Sequence, residues 1–438
     1  MGVHVVSKLD NRQHASFNLE AAAQSELAES SVRIRPLLLS LTSNNLTYAL
    51  LGEILHWWDA YPVSANYPAP YNDPTKWGIV PAWGYATIEE STIPDLAKGT
   101  LLYGFWPTSD VPTDLKLTRG SPEAHWIEIN PHRQQLMPLY NRYTIAPSSN
   151  SIADLKLDSM SESARDELDR MAWTALFIGG VAGYLLAEYV FPADAEAQKP
   201  IHPLGDQAGL PWSRSDADLS SAVVVNLAAS TKTARVFTYF LSRRQVKPLG
   251  LMQVTSSIER AAEADRNLGS EVPSIAVRYG DIGSTESAEW LAARKAEKVV
   301  IVDFGGRDNA VEDVLALIKG DARLQHCEVV IVQVGNEQKV YSMQEVIAGR
   351  AAMEKLGKVQ FNTSGVQDTI LASGDVEGYF KRRSARWEKW LDERHLSVPG
   401  MEIVFGKGVL SAGGIEGGWE KLCNGQVAPE EGLVYKMQ

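Results

Sequence analysis

The chain has 438 residues, of which 45% are hydrophobic and 22% are charged, a composition typical of a globular protein, and its length favours two domains. The formal net charge of −12 argues against nucleic-acid binding, which requires a basic surface. The two cysteines, Cys327 and Cys423, are too far apart in sequence for a metal knuckle or a disulfide framework, so we expect a reducing, cytoplasmic location.

The N-terminal part of the sequence predicts a mostly β domain. A strand that begins at residue 32 leads into a helical stretch, NLTYALLGEILHWW, and short β-like runs recur up to residue 145. Turn residues separate these runs, which is typical of β domains. The intervening block 57–85 is dense in tryptophan and tyrosine. It is compatible with the lining of a cleft for an aromatic or polyketide-like substrate, with an interface, or with an irregular core.

An uncharged segment of 17 residues, Met171–Ala187, follows this domain. Its length is at the short edge for a membrane span, and Gly179 and Gly183 form a GxxxG pattern. We favour a buried helix between two domains, because the segment ends at Glu188 and is preceded by acidic residues. No membrane association is therefore expected.

After this segment, apolar β-type runs alternate with amphipathic helical stretches. The predicted strands are 222–227, 249–255, 274–278, 298–304 and 328–334, and the predicted helices are 231–243, 257–268, 285–296 and 309–319. This alternation predicts an α/β fold in which a doubly wound parallel sheet carries helices on both faces. The fourth and fifth runs are apolar on both faces, as buried central strands are.

The stretch VVVNLAASTKTA (223–234) places a strand, a loop of small residues and a helix N-terminus in succession, which is a common way to bind phosphate. Lys232 and Thr233 match the end of a P-loop, but its two glycine positions hold Asn226 and Thr231, which makes that interpretation improbable. A dinucleotide-binding turn fits better. Its small residues, Ala229 and Ser230 among them, allow close approach, and Lys232 adds positive charge.

The second strand of this predicted fold ends in hydroxyl-bearing residues. Ser256 and Ser257 stand at its tip, with Arg260 one turn later. No carboxylate is there to bind a free ribose 2′-hydroxyl, whereas hydroxyls and a cation suit a 2′-phosphate. The sequence therefore predicts NADPH in preference to NADH.

Several stretches resemble the medium-chain dehydrogenase/reductase superfamily, in particular its zinc-free quinone and enoyl reductases. They are LLSLTSNNLTYA (38–49), LAKGTLLYGF (96–105), VVVNLAASTKTA (223–234), VVIVDFGGR (299–307) and GGWEKLCNGQVAPEEGLV (417–434). The NLTYA and AASTKTA stretches are also similar to a fungal and bacterial family catalogued as a domain of unknown function. The third stretch departs from the superfamily because it lacks the glycines.

This resemblance implies a GroES-like β-rich domain at 1–165, a Rossmann-type domain at 166–355 and a C-terminal return to the first domain at 356–438. It implies an NADPH-dependent, zinc-independent reductase of an enone, quinone or related carbonyl compound, without a bound metal, and it is compatible with a homodimer. The alternative is a non-catalytic or non-redox nucleotide-binding or scaffold protein on the same fold.

The resemblance also assigns roles to individual residues. Asn45 and Tyr48 correspond to the substrate-binding turn, where a tyrosine hydroxyl or an asparagine amide can polarise a carbonyl. Phe304, Gly305 and Gly306 correspond to the segment that follows the nicotinamide end of the cofactor. The complete predicted cofactor set is Ala229, Ser230, Lys232, Thr233, Ser256, Ser257, Arg260, Phe304, Gly305 and Gly306.

Overall fold

The computed structural model describes residues 1–20, 25–146, 160–269, 271–307 and 309–437. They form two compact units. The first unit comprises Met1–Gly179, Gln338–Glu345 and Glu402–Gln438, and the second comprises Gly180–Glu337 and Val346–Met401. The boundaries thus differ from the predicted ones: the second unit begins at residue 180 rather than 166, and the C-terminal return begins at residue 402 rather than 356.

The first unit is built mainly of antiparallel strands. They are β1 (Gly2–Ser7), β2 (His14–Asn18), β3 (Ser31–Leu41), β4 (Trp77–Gly78), β5 (Ala82–Ser91), β6 (Leu101–Trp106), β7 (Thr113–Arg119), β8 (His125–Glu128), β9 (Arg142–Ile145), β16 (Glu402–Lys407) and β17 (Glu431–Lys436). The main sheet has the order β16-β17-β3-β5-β6-β9-β8-β7, and β7 also pairs with β3. This last pairing closes six strands into a barrel. β1 pairs with β2 and β4 in a separate small sheet.

Strand β3 is the centre of this unit because it has three partners: β5, β7 and β17. Its sequence, SVRIRPLLLSL, is buried at every position except Arg35. Pro36 has no N–H to donate, and it lies where the register with β5 shifts between Pro36 and Leu38, as expected for a proline inside a sheet.

Helices α1 (Ser43–Leu50), α2 (Glu162–Phe177) and α12 (Ile415–Cys423) complete the first unit. α1 is shorter than the predicted helical stretch, and a separate 3-10 turn at Trp57–Asp59 follows it. The aromatic block 57–85 contributes Trp57, Trp58, Tyr61 and Trp83 to the hydrophobic core. Of the three interpretations of this block, the structure therefore favours the irregular core for these four side chains.

The apolar segment 171–187 is buried but is not a single helix. α2 ends at Phe177, and Ile178, Gly179 and Gly180 all have positive φ. The chain continues as α3 (Val181–Leu185) and a π-helical turn, Leu186–Val190. Glu162–Val190 is long and apolar enough to cross a membrane by length and composition, but 78% of its most apolar window is buried inside the structure. Such burial is typical of a core segment in a soluble protein.

The second unit contains the parallel sheet that the sequence predicts. Its strands are β10 (Ala222–Leu227), β11 (Gly250–Val254), β12 (Ser274–Val277), β13 (Lys298–Phe304), β14 (Glu328–Gly335) and β15 (Val359–Gln360). The order is β12-β11-β10-β13-β14-β15, and every pairing is parallel. The order reverses between β10 and β13, as in the doubly wound dinucleotide fold. The predicted fold class is confirmed.

The helices of the second unit connect these strands and cover the sheet. Besides α3, they are α4 (Arg214–Ala217), α5 (Lys232–Arg243), α6 (Ile258–Leu268), α7 (Thr285–Ala293), α8 (Ala310–Gly320), α9 (Met343–Leu356), α10 (Thr363–Ala372) and α11 (Val376–Ser397). α9 begins in the residues assigned to the first unit.

Strands β10, β11 and β13 are buried at every position, which explains their continuous apolar sequences. Asn226 is a polar residue within the otherwise apolar strand β10. Its Nδ2 atom donates to Gln253 Oε1 at 3.1 Å and to Thr238 Oγ1 at 3.2 Å. Asn226 therefore belongs to a buried hydrogen-bond network inside the sheet and not to a phosphate loop, which removes the P-loop interpretation.

Candidate functional site

The loop after β10 forms a tight turn without glycine. Ala228 adopts φ 56°, a left-handed conformation that a non-glycine residue rarely takes. Ala228 accepts a hydrogen bond from Thr231 N at 2.9 Å, and Ala229 N donates to Val254 O at 3.0 Å. These bonds hold the turn against the end of β11. They keep Ala228 in a backbone conformation that glycine would adopt without strain.

Helix α5 begins directly after this turn, and no side chain caps its N-terminus. Its first N–H groups have no carbonyl partner within the helix, and the helix dipole is positive at this end. The predicted residues Lys232 and Thr233 occupy the first turn. An anion is the ligand that such a helix end accepts best.

Lys232 is half-buried, and within the described residues its ammonium has no hydrogen-bond or ion-pair partner. Burial lowers its pKa from 10.5 to about 8, because the charged form has lost water without gaining a carboxylate. A phosphate at the N-terminus of α5 would supply the missing negative charge.

The end of β11 is joined to the β10 loop by hydroxyl groups. Ser230 Oγ bonds to Thr255 Oγ1, and Thr255 Oγ1 also accepts from Ser257 N at 3.0 Å. Thr255 is 1% exposed, whereas Ser256 is exposed and Ser257 is half-exposed. Thr255, which the sequence places at the same strand end, is therefore buried and holds the backbone of Ser257 rather than facing a ligand.

The charges beside this strand end are mixed. Arg260 is half-buried in the first turn of α6. Its neighbour Glu259 forms an ion pair of 3.7 Å with Arg278, which follows β12. A carboxylate is thus present in the first turn of α6, but Arg278 already pairs with it.

The loop after β13 contains the predicted residues Phe304, Gly305 and Gly306. Gly305 has φ 109°, and a Cβ atom at this position would lie 2.4 Å from Asn336 O. A Cβ atom on Gly306 would lie 3.1 Å from Leu227 Cβ, so this loop packs closely against the end of β10. The positive φ and the contact with the Asn336 carbonyl require glycine at position 305, whereas position 306 is a close approach to the Leu227 side chain.

Asp303, the residue before this loop, makes three contacts. Its Oδ1 atom accepts from Gly306 N at 2.7 Å and from Gly305 N at 3.1 Å. Its Oδ2 atom accepts from Lys358 Nζ at 3.3 Å. Both carboxylate oxygens of Asp303 are therefore engaged by protein groups.

All these loops lie at one edge of the sheet. Leu227 is in register with Val254 on one side and with Asp303 on the other, so the three strands end side by side where the order reverses. Ligands of open α/β sheets bind in this crevice. Tyr279, which the sequence did not identify, has its hydroxyl beside the backbone of Ala228 and Arg307 and so connects two of the loops.

The two predicted catalytic residues lie together on α1 in the first unit. Asn45 Oδ1 accepts from Thr42 N at 2.7 Å, and its Nδ2 donates to Pro81 O at 2.9 Å. At 2% exposure, Asn45 completes the cap of α1. Both the oxygen and the nitrogen of its side-chain amide therefore form hydrogen bonds within the first unit.

Tyr48 is 5% exposed, and its ring makes edge contacts with Trp57, Phe105 and Tyr140. Its hydroxyl oxygen accepts from Trp83 Nε1 at 3.1 Å. Burial raises the pKa of Tyr48 to about 12, so the phenol keeps its proton at neutral pH. The contacts of Tyr48 with these aromatic rings could not be predicted from its position in the sequence.

Within the described residues, no group of three His, Cys, Asp or Glu side chains is arranged to hold a metal ion. Cys327 is buried, and its thiol donates to Ala296 O at 3.2 Å. Cys423 is half-buried beside Asn11 O. The two cysteines therefore have separate backbone partners.

Comparison with known proteins agrees with this architecture. Residues 39–428 match the model of a family described as "Protein of unknown function (DUF2855)". No functionally curated protein matches the sequence. A mutant form of the enoyl thioester reductase from Candida tropicalis aligns with a TM-score of 0.51 and 9% identity over 99% of each chain. The Escherichia coli quinone oxidoreductase complexed with NADPH aligns with a TM-score of 0.50 and 10% identity over 100% of each chain.

At such low identity these likenesses establish the fold alone. The resemblance to medium-chain dehydrogenase/reductase proteins and to a family of unknown function is confirmed. The chemistry of this chain has to be argued from its own residues.

Proposed function

Since the chain belongs to the DUF2855 family, whose description gives no reaction, we propose its function from the site: an NADPH-dependent, zinc-independent reductase of an enone, a quinone or a related carbonyl compound. The observation that carries this proposal is the unpartnered Lys232 at the uncapped N-terminus of α5, at the reversal point of the sheet. The E. coli quinone oxidoreductase of the same fold is described as complexed with NADPH, which supports the choice of cofactor.

In this proposal the first turn of α5 and Lys232 bind the pyrophosphate, because charge-assisted bonds to phosphate are the strongest that this edge can offer. Ser256 and Ser257 receive the 2′-phosphate, with Arg260 as the nearest cation on the same helix. The loop 304–306 receives the nicotinamide half. The cofactor supplies the hydride chemistry, while the protein orients it and limits the access of water.

Tyr48 remains our candidate proton donor. Trp83 donates to the Tyr48 oxygen, so the hydroxyl proton is not consumed in that bond. The raised pKa, about 12, keeps the proton in place at neutral pH. For Asn45, which caps α1 through its side-chain oxygen, we propose that it fixes the turn on which Tyr48 stands.

One observation favours the alternative of a nucleotide-binding protein without turnover. Both Asn45 and Tyr48 are more than nine-tenths buried and hydrogen-bonded within the first unit. These two side chains would therefore stabilise the first unit even in a protein without catalytic activity.

Titration of the purified protein with NADPH, NADH and ATP, followed by tryptophan fluorescence, tests the proposal. We expect saturable binding of NADPH, weaker binding of NADH and none of ATP. Oxidation of bound NADPH in a screen of enones, quinones and aryl ketones would support the reductase, whereas binding without any turnover would support the alternative. Absence of NADPH binding would refute the reductase, and absence of binding by all three nucleotides would leave only a scaffold protein.

A further inference from the structure

Asp303 and Lys358 form an ion pair at the point where the parallel sheet reverses its order. The Lys358 Nζ to Asp303 Oδ2 distance is 3.3 Å, and the two side chains are only 12% and 7% exposed. A pair so removed from water is screened less than a surface pair, and removing one partner leaves a buried charge uncompensated.

The lysine comes from a distant part of the chain. Gly357, with φ 68°, ends α9, and Lys358 N donates to Met353 O at 3.0 Å. The next residue, Val359, begins β15 and is in register with Val332 of β14. The backbone on both sides of Lys358 is therefore fixed. Its ammonium contacts Asp303, and Lys358 is not itself part of the loop that contains Gly305 and Gly306.

The effect of the pair falls on the loop after β13. Because Asp303 Oδ1 accepts from the N–H groups of both Gly305 and Gly306, these donors point into the protein. The loop backbone then has carbonyl oxygens left to offer a ligand. Glycines have the widest choice of backbone conformations, so without this carboxylate the loop would sample others.

The position of the loop indicates which part of a dinucleotide it meets. In a doubly wound sheet each half of the dinucleotide lies on its own side of the reversal point, and the adenosine half lies over the side that here holds β10 and β11. The loop on β13 therefore faces the other half. We propose that Asp303 and Lys358 are positioning residues that hold the Gly305–Gly306 loop in the conformation that receives the nicotinamide half of NADPH, an inference that rests on the proposed function.

The test compares two ligands in the full-length protein. NADPH spans both halves of the site, whereas adenosine 2′,5′-bisphosphate lacks the nicotinamide half. In Lys358→Met we expect the NADPH dissociation constant to rise about tenfold, the effect of weakening one charge-assisted interaction. The dissociation constant of the bisphosphate should stay within about twofold. Lys358→Arg keeps the charge and should recover most of the NADPH affinity.

A merely structural pair would behave differently, because loosening the whole unit would weaken both ligands alike. Equal losses for NADPH and the bisphosphate, or an unchanged NADPH affinity in Lys358→Met, would overturn the inference. Should Lys358→Met fail to fold, the double variant Asp303→Leu/Lys358→Met removes both the uncompensated charge and the acceptor of the two glycine N–H groups, and it should show the same selective loss. If the unaltered protein binds the bisphosphate but not NADPH, the proposed function fails first, and this inference fails with it.

Discussion

Lys232 provides the sharpest test of the site, because its pKa links cofactor affinity to pH. With a pKa of about 8 in the free protein, the ammonium is about 90% protonated at pH 7 and about 10% at pH 9. A bound phosphate stabilises the charged form and raises the pKa, so the complex keeps its proton over this range. Binding is therefore strongest when Lys232 is protonated.

It follows that the dissociation constant of NADPH should rise as pH passes 8 and be about tenfold larger at pH 9 than at pH 7. Fluorescence titration at both pH values, at constant ionic strength, measures this. The 2′-phosphate, with a second pKa of about 6, is about 90% doubly ionised at pH 7 and almost completely so at pH 9, so the ligand's own change is small and opposite in sign.

Two variants separate Lys232 from other titrating groups. Lys232→Arg stays charged at pH 9 and should bind NADPH with little pH dependence. Lys232→Met should bind about 10- to 100-fold more weakly at pH 7, as expected from the loss of a hydrogen bond to a charged group, and should also show little pH dependence. An unaltered protein with equal affinity at pH 7 and pH 9 would refute this role for Lys232.

The remaining predictions concern the turn, cofactor choice, the tyrosine and zinc. Ala228→Gly should stabilise the protein by about 0.5 kcal/mol in urea unfolding, because relief of the left-handed alanine slightly exceeds the entropy that glycine adds to the unfolded chain; a loss of stability would show that the turn is not strained. Ser256→Asp should reverse a preference for NADPH over NADH by repelling the 2′-phosphate, and equal cofactor affinities in the unaltered protein would contradict that role. Tyr48→Phe should lower turnover and leave NADPH affinity intact, with a stability cost of about 1 kcal/mol for the hydrogen bond from Trp83; unchanged turnover would make Tyr48 purely structural. Elemental analysis should find no stoichiometric zinc, and one zinc per chain that is lost together with activity on chelation would refute zinc independence.

Much of the second unit could be predicted from the sequence, because local patterns determine it. Continuous apolar runs such as Val299–Val302 can only be buried strands in an alternating α/β chain, and parallel pairing places all their carboxyl ends at one edge. That geometry is enough to locate the loops at 228–231, 255–257 and 304–306 from the sequence. The same reasoning failed at Ile178–Gly180, where the apolar segment breaks, because hydrophobicity does not reveal a change to left-handed backbone.

The tertiary structure alone decided which side chains meet. Lys358 lies 55 positions from Asp303, and Ser230 lies 25 positions from Thr255, so neither contact leaves a periodic signal. The resemblance assigns Asn45 to substrate binding, but only the structure shows that its side-chain oxygen caps α1. Secondary structure follows from interactions a few residues apart, whereas a functional site depends on side chains that are brought together only when the sheet and its helices have packed.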